Sequence, residues 1–303
     1  MPWWIRSHAR FSLTASQERR HVELAFERDG AGKTFLSRQF VRYPFHVCRG
    51  LYDCALDSRA CSVTLQSTSG GLFESDDTRA RIVAGSAAHV QVTTAAATVV
   101  HSMKQGEARQ VVELEAGPNS VLEYSPQSLI LFPGSALRST VSIVAHSTAT
   151  VIVCDSFLTH DPSAQQRVFA QLDMRVNVST LDGDLLARDR QLLTGQAWRS
   201  GVVGIAGRYR AHASIWLIRP GVNAAVLGRV RNALDPHSAY GGASLLPNDA
   251  GLSVRLLCLD AVDLHRTLNR VLAQLRECDE QPRCWRSAEL KSGATQPESM
   301  ASA

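Results

Sequence analysis

Between about residues 60 and 180 the chain alternates apolar and polar side chains with a period of two. In residues 168–178, VFAQLDMRVNV, the side chains Val168, Ala170, Leu172, Met174, Val176 and Val178 alternate with Phe169, Gln171, Asp173, Arg175 and Asn177. Successive strand side chains point to opposite faces, so this spacing predicts a half-buried β-strand, with Phe169 as one aromatic out of place. Runs of the same kind occupy 79–84, 89–94, 110–115, 137–145 and 148–155. Gly85-Ser86, Gly106, Gly117-Pro118-Asn119, Pro133-Gly134 and Asp182-Gly183 separate them as turn signals. Many short strands punctuated this closely predict a mainly β, single-domain body of many short strands rather than βαβ units. No repeat of fixed length and no linker stands out within residues 20–286.

One strand-like stretch is broken. Residues 121–132, VLEYSPQSLILF, read as strands 121–124 and 128–132 with Pro126 between them. Proline cannot donate to a ladder, so it ends a strand, and Glu123 and Gln127 are placed to satisfy the backbone groups freed there. A plain edge strand stopped by proline is the other reading. The clear departure from β periodicity is 261–278, AVDLHRTLNRVLAQLREC, where Leu264, Leu268, Val271, Leu272 and Leu275 fall at helical spacing. Arg266, Arg270, Gln274 and Glu277 lie on its other faces, and Asp260 is a suitable N-cap. After Trp285 the apolar pattern stops, which predicts a disordered tail over 287–303.

With 45% hydrophobic and 20% charged residues, the 303-residue chain can build an ordinary core. A net charge of +4 is too small to argue for nucleic acid and suits an acidic protein equally. The N-terminus shows no secretory signal. The apolar stretch 141–154 is interrupted by His146, Ser147, Thr148 and Thr150 and falls short of the about 18 residues a membrane span needs. Seven cysteines with no CxxC pair read as free thiols, so a soluble, cytoplasmic protein is expected.

Catalytic motifs are weak. GAGKT at 30–34 has Glu27 where a phosphate-binding loop needs its first glycine, and its flanks alternate like a hairpin turning at Asp29-Gly30, so no nucleotide site is expected. There is no GxSxG, HxH or HExxH. His89, His101, His146 and His160 stand singly in the strand region, and Glu74, Asp76 and Asp77 form an acidic turn after Gly70-Gly71.

Four segments resemble a known family in the same order: SGGLFESDD (69–77), VTTAAATVVHS (92–102), VLEYSPQSLILF (121–132) and PRCW (282–285). They are similar to the GGLxxGD turn, the TTQAATKVYR-like strand, the LEWLPQxxIxF segment and the terminal PR-hydrophobic-W of the urease accessory protein UreD (UreH) family. Leu122, Glu123, Tyr124, Pro126, Gln127, Ile130 and Phe132 all fit the third motif. The chain departs from the pattern at Ser75, in the place of a glycine, and at Ala95, Val99, His101 and Ser125. Within 160–169 only the phenylalanine of a GRxxxGExF segment is kept, so a divergent member is expected.

The resemblance implies a β-helix or solenoid-like stack with one or two C-terminal helices, spanning 21–286 after an N-terminal extension of 20 residues. It implies no catalysis. It points to a scaffold that binds apo-urease with UreF-like and UreG-like proteins and assists nickel insertion, with no tightly bound cofactor and a possible homodimer in the complex. A nickel conduit should offer scattered carboxylates rather than a closed cage, because a tight cage releases its ion too slowly. Candidate partner-binding or conduit residues are Asp76, Thr93, Thr94, Glu123, Tyr124, Pro126, Gln127, Arg270 and Arg276, with Glu74, Asp76 and Glu123 as weak metal candidates. Glu123, Tyr124 and Gln127 are expected at a strand junction beside the Glu74–Asp77 turn. The helix either contributes Arg270 and Arg276 to a UreF-like contact or plugs the end of the stack. A β-solenoid carbohydrate enzyme using Glu74, Asp76 and Glu123, and an unrelated β-sandwich binding domain, are the alternatives.

Overall fold

A computed structural model describes residues 20–52, 59–234 and 239–277. The chain opens with an antiparallel hairpin, β1 (Val22–Arg28) and β2 (Thr34–Val41), followed by the short β3 (Phe45–Val47). The GAGKT stretch is its turn, but a longer one than a two-residue Asp29-Gly30 turn. The Asp29 carboxylate accepts the N–H groups of Ala31 and Lys33, and the positive φ is carried by Gly32.

From residue 61 the chain winds in coils. β4 (Cys61–Ser67), β6 (His89–Thr94), β9 (Val121–Tyr124) and β12 (Thr150–Thr159) lie side by side and parallel in one sheet, here sheet II. β5 (Asp77–Ala84), β8 (Ala108–Ala116), β11 (Ala136–Ala145) and β13 (Gln171–Thr180) lie parallel in the facing sheet I. The short β7 (Thr98–Val100) and β10 (Leu129–Leu131) pair at the edge of the coil, β10 also joining β12. Each coil returns to the same place after a variable number of residues. Asp77 stands beside Arg109, Arg109 beside Arg138 and Arg138 beside Asp173, steps of 32, 29 and 35. That unequal step is why no sequence repeat of fixed length is visible. The coil pairing is that of a β-solenoid and excludes a sandwich of separate antiparallel sheets.

One corner recurs in three coils: the N–H groups of Ala88, Ser120 and Ala149 bond to the carbonyls of Gly85, Gly117 and His146. Val22, Leu24, Ile82, Leu114, Leu122, Ile143 and Val153 fill the interior from both sheets. Strand 168–178 begins only at Gln171, and the out-of-phase Phe169 is buried in a second interior cluster with Phe157, Leu172 and Trp198.

The coil ends in antiparallel strands. β14 (Leu185–Thr194) closes sheet I, followed by the short helix α1 (Gly195–Arg199). β15 (Ala211–Ile218), β17 (Gly251–Cys258) and β16 (Ala239–Leu245) extend sheet II in that order. Helices α2 (Ala224–Ala233) and α3 (Ala261–Glu277) pack on the outer face of sheet II. Asp260 caps α3 by accepting the N–H groups of Val262 and Asp263. Its stripe Leu264, Leu268, Val271, Leu272 and Leu275 buries against Ile152, Cys154, Ile215 and Val254, so α3 covers a sheet face rather than plugging the end of the stack. Burying five such side chains contributes on the order of 10 kcal/mol before conformational entropy is subtracted. The PRCW segment, the tail over 287–303 and residues 1–19 lie outside the described residues. Arg20, assigned to the N-terminal extension, is buried and donates to Glu113 of β8.

Candidate functional site

Strand parity decides which polar groups enter the coil. In sheet I the inward phase carries Ala80 and Ile82, Val112 and Leu114, and Leu137 and Val141, and the polar Thr78, Gln110 and Ser139 share those phases. Register puts Thr78 beside Gln110 and Gln110 beside Ser139, a polar rung across three strands that ends against Met174 of β13. In sheet II, β12 sends Val151, Val153 and Phe157 inward, and Asp155 has the same parity. Tyr124 of β9 also points inward.

These groups meet at a cavity of about 60 Å³ inside the coil, lined by Thr78, Gln110, Tyr124, Ser139, Asp155 and Ser156. It separates the apolar filling around Val153 from that around Phe157. By volume it can take roughly two waters. Among the described residues Asp155 has no ion-pair partner. Burial pushes its carboxyl up to about 7. Tyr124 is pushed above its ordinary value by burial and by Asp155, against a hydrogen bond with Gln110. A larger recess of about 360 Å³ adjoins the cavity, sharing Phe45, Leu65, Ser67, Thr94 and Thr98 as common walls.

Four residues singled out in the sequence, Thr94, Tyr124, Pro126 and Gln127, line this cavity. The break at Pro126 is satisfied from the preceding coil rather than by Glu123 and Gln127 side chains. Thr93 Oγ1 donates to the Ser125 carbonyl at 2.8 Å, and Thr94 Oγ1 accepts the Gln127 N–H at 2.9 Å. The Ser125 N–H reaches the Val92 carbonyl.

Glu123 and Tyr124 are split by the sheet. Tyr124 faces the cavity, whereas Glu123 faces outward and accepts two N–H groups, Nε and Nη2, of the Arg276 guanidinium of α3, at 2.8 and 2.6 Å. Ser125 and Gln91 also donate to Glu123. Burial would raise the Glu123 carboxyl, but Arg276, Ser125 and Gln91 outweigh it and hold it below its ordinary value. Arg276 is therefore an internal clamp, and Arg270 is exposed on the same helix.

The acidic turn has its own partners. Glu74 accepts the backbone N–H groups of Lys104, Gln105 and Gly106, which hold its carboxyl below its ordinary value. Asp76 accepts the Phe73 N–H at 2.8 Å, and Asp77 takes Arg79. Glu74, Asp76 and Glu123 are thus bonded to three separate sets of donors, and they share no common partner. Among the described residues no group of three or more His, Cys, Asp or Glu side chains could hold a metal. Cys48, Cys61, Cys154 and Cys258 are free thiols, and no helix among the described residues is long and apolar enough to cross a membrane.

Asp155 escaped the sequence reading because it closes the run 148–155, where an acidic residue resembles a strand end. The signal was available in parity: Thr78, Gln110, Ser139 and Asp155 are all polar residues on apolar phases.

Comparison with known proteins gives one family. Residues 18–286 match the UreD urease accessory protein family. The Urease accessory protein UreD 1 of Pseudomonas syringae pv. syringae (strain B728a) is 38% identical over 274 residues, covering 89% of this chain and 95% of the relative. UreD 1 of Methylorubrum populi is 37% identical over 251 residues, covering 82% and 85%. UreD 3 of Bradyrhizobium sp. (strain ORS 278) is 35% identical over 256 residues, covering 83% and 89%.

Proposed function

The chain belongs to the UreD urease accessory protein family, and from that premise we propose that it is a non-enzymatic, cytoplasmic scaffold that holds apo-urease together with UreF-like and UreG-like proteins while nickel is inserted. In this reading nickel is cargo, and the inside of the coil carries it past Asp155.

The observation that supports this reading is a carboxylate facing a cavity inside the coil, with hydroxyl and amide groups around it and no ion-pair partner among the described residues, the one arginine of the lining, Arg79, being engaged by Asp77. Nickel accepts carboxylate and neutral oxygen donors. One carboxylate with hydroxyl, amide and water neighbours binds weakly enough to let go, whereas a micromolar site already holds its ion by about 8 kcal/mol. The carbohydrate-enzyme alternative needs a pair of carboxyls acting across an open cleft. Its three candidates are engaged instead: Glu74 by three amides, Asp76 by the Phe73 N–H and Glu123 by Arg276.

The test is co-production of Asp155→Asn and Asp155→Leu with urease and its accessory proteins. Urease nickel content should fall severalfold while the complex still co-purifies. Full nickel content in both variants removes the coil interior from the path.

A further inference from the structure

Sheet II is wider than sheet I. Past β12 it continues through β15, whose Trp216 and Ile218 still pack in the interior with Val176, Val178 and Ala187 of sheet I, to a wing made of β17 and β16. β14 pairs with β13 on one side, and among the described residues no strand pairs with its other edge. Side chains tie β14 to β15 and to the wing: Gln191 donates to Ser214, and Arg255 to Asp189. Between the strand edge and the wing lies a groove of about 600 Å³.

The groove has an apolar floor and rim. Trp198 and His212 are 3% and 6% exposed and line it, with Leu193 and Leu257 beside them. Among the described residues Trp198 Nε1 and His212 Nδ1 have no hydrogen-bond partner. Both rings pack on Phe157, which fixes the floor. At the rim Leu192, Ile205 and Tyr240 are exposed at 53%, 37% and 63%, and Val203 in the adjoining loop at 85%. Exposed aliphatic and aromatic groups gathered around one recess mark an interaction site rather than ordinary surface.

Charge and backbone select the occupant. Arg190 and Arg255 line the groove against Asp189 and the buried Asp173, and Asp173 is already shared with Arg175 and Arg138. The rim therefore carries excess positive charge. An open strand edge offers a row of N–H and C=O groups to an extended chain.

We propose that this groove binds an extended segment of a partner protein, which adds as a strand to β14, seats one apolar side chain over Trp198 and His212, and places flanking carboxylates against Arg190 and Arg255. The inference rests on the scaffold reading and adds to it the face and the peptide chemistry of one contact, separate from the cavity at Asp155.

The full-length chain should be titrated with purified apo-urease and with the UreF-like and UreG-like proteins, each alone, by calorimetry. Leu192→Asp and Ile205→Asp alter exposed side chains, so their circular dichroism should match the parent. The expected result is at least tenfold weaker binding of one of these proteins by both variants, with Asp155→Asn binding as the parent does. In the parent complex, amides within 187–193 should slow in hydrogen exchange. Unchanged affinity for every partner, or unchanged exchange across 187–193, overturns the groove proposal and leaves the scaffold reading standing. If the parent binds none of the three, the scaffold reading falls and the groove proposal with it.

Discussion

Arg276, in the last turn of α3, closes two guanidinium N–H groups on the carboxylate of Glu123 in β9, 153 positions earlier in the chain. The pair ties the helical cover to the outer face of the coil, close to where the chain breaks at Pro126. Glu123 is buried, and the Arg276 side chain is 34% exposed.

Removing one partner leaves the other charge without compensation, which is the costly way to lose an ion pair. Arg276→Ala and Glu123→Gln should each destabilise the protein by about 2–4 kcal/mol, the partial exposure of the arginine keeping the cost below that of a fully buried pair. Replacing both with leucine should recover much of the loss. Denaturant midpoints of the two single variants and the double variant measure this. Singles within 0.5 kcal/mol of the parent, roughly the range of ordinary surface changes, would remove the clamp.

A second ion cluster sits on the outer face of sheet I. Arg175 and Arg190 both grip the Asp173 carboxylate, which is 1% exposed. The Arg175 hydrogen bond, joined by Arg190, lowers its pKa from 3.8 to about 2. A carboxyl with a depressed pKa contributes stability that is present above its unfolded value near 4 and is lost as pH falls toward 2. The parent should lose about 2 kcal/mol more than Asp173→Asn between pH 5 and pH 2. Parallel stability curves for the two proteins across that range would show that the arginines do not act on this group.

Ser75 stands where the family pattern has glycine, and its φ is +71°. An L-residue with a Cβ is strained there, so Ser75→Gly should stabilise the protein by about 1 kcal/mol. Gly71 behaves oppositely. A Cβ at Gly71 would lie 2.3 Å from the Val99 carbonyl oxygen, at a φ of +140°. Gly71→Ala should therefore cost several times what Ser75→Gly gains, read as opposite shifts in thermal midpoint.

Period-two alternation made the strands legible, down to the bounds of β6 and β9, and the helical stripe with Asp260 made α3 legible. Which faces meet was not legible. Glu123 and Arg276 are far apart in sequence, and nothing local marks them as partners. The polar rung Thr78–Gln110–Ser139 forms only through coil steps of unequal length, 32 and then 29 residues, so the chain carries no repeat that would align them. Pro126 was correctly a strand stop, but Thr93 and Thr94, which satisfy the break, belong to the coil before it.

Asp155 gives the opposite pH signature to Asp173. Burial raises its pKa from 3.8 to about 7. Between those values the folded protein holds a proton that the unfolded chain has released, so stability falls as pH rises through this window and levels off above it. The full shift corresponds to roughly 4 kcal/mol as an upper bound, since water entering the cavity would moderate it. Asn has nearly the shape of the protonated acid and no charge to desolvate. Asp155→Asn should therefore lie within about 1 kcal/mol of the parent near pH 4.5 and gain a further 1–3 kcal/mol on it by pH 7.5, about the size left after such moderation. Chemical denaturation at the two pH values, with the Asp173 contribution constant over this range, isolates the effect. The same difference at both pH values would mean that the carboxylate is solvated or paired in solution, and the uncompensated charge on which the nickel path rests would be absent.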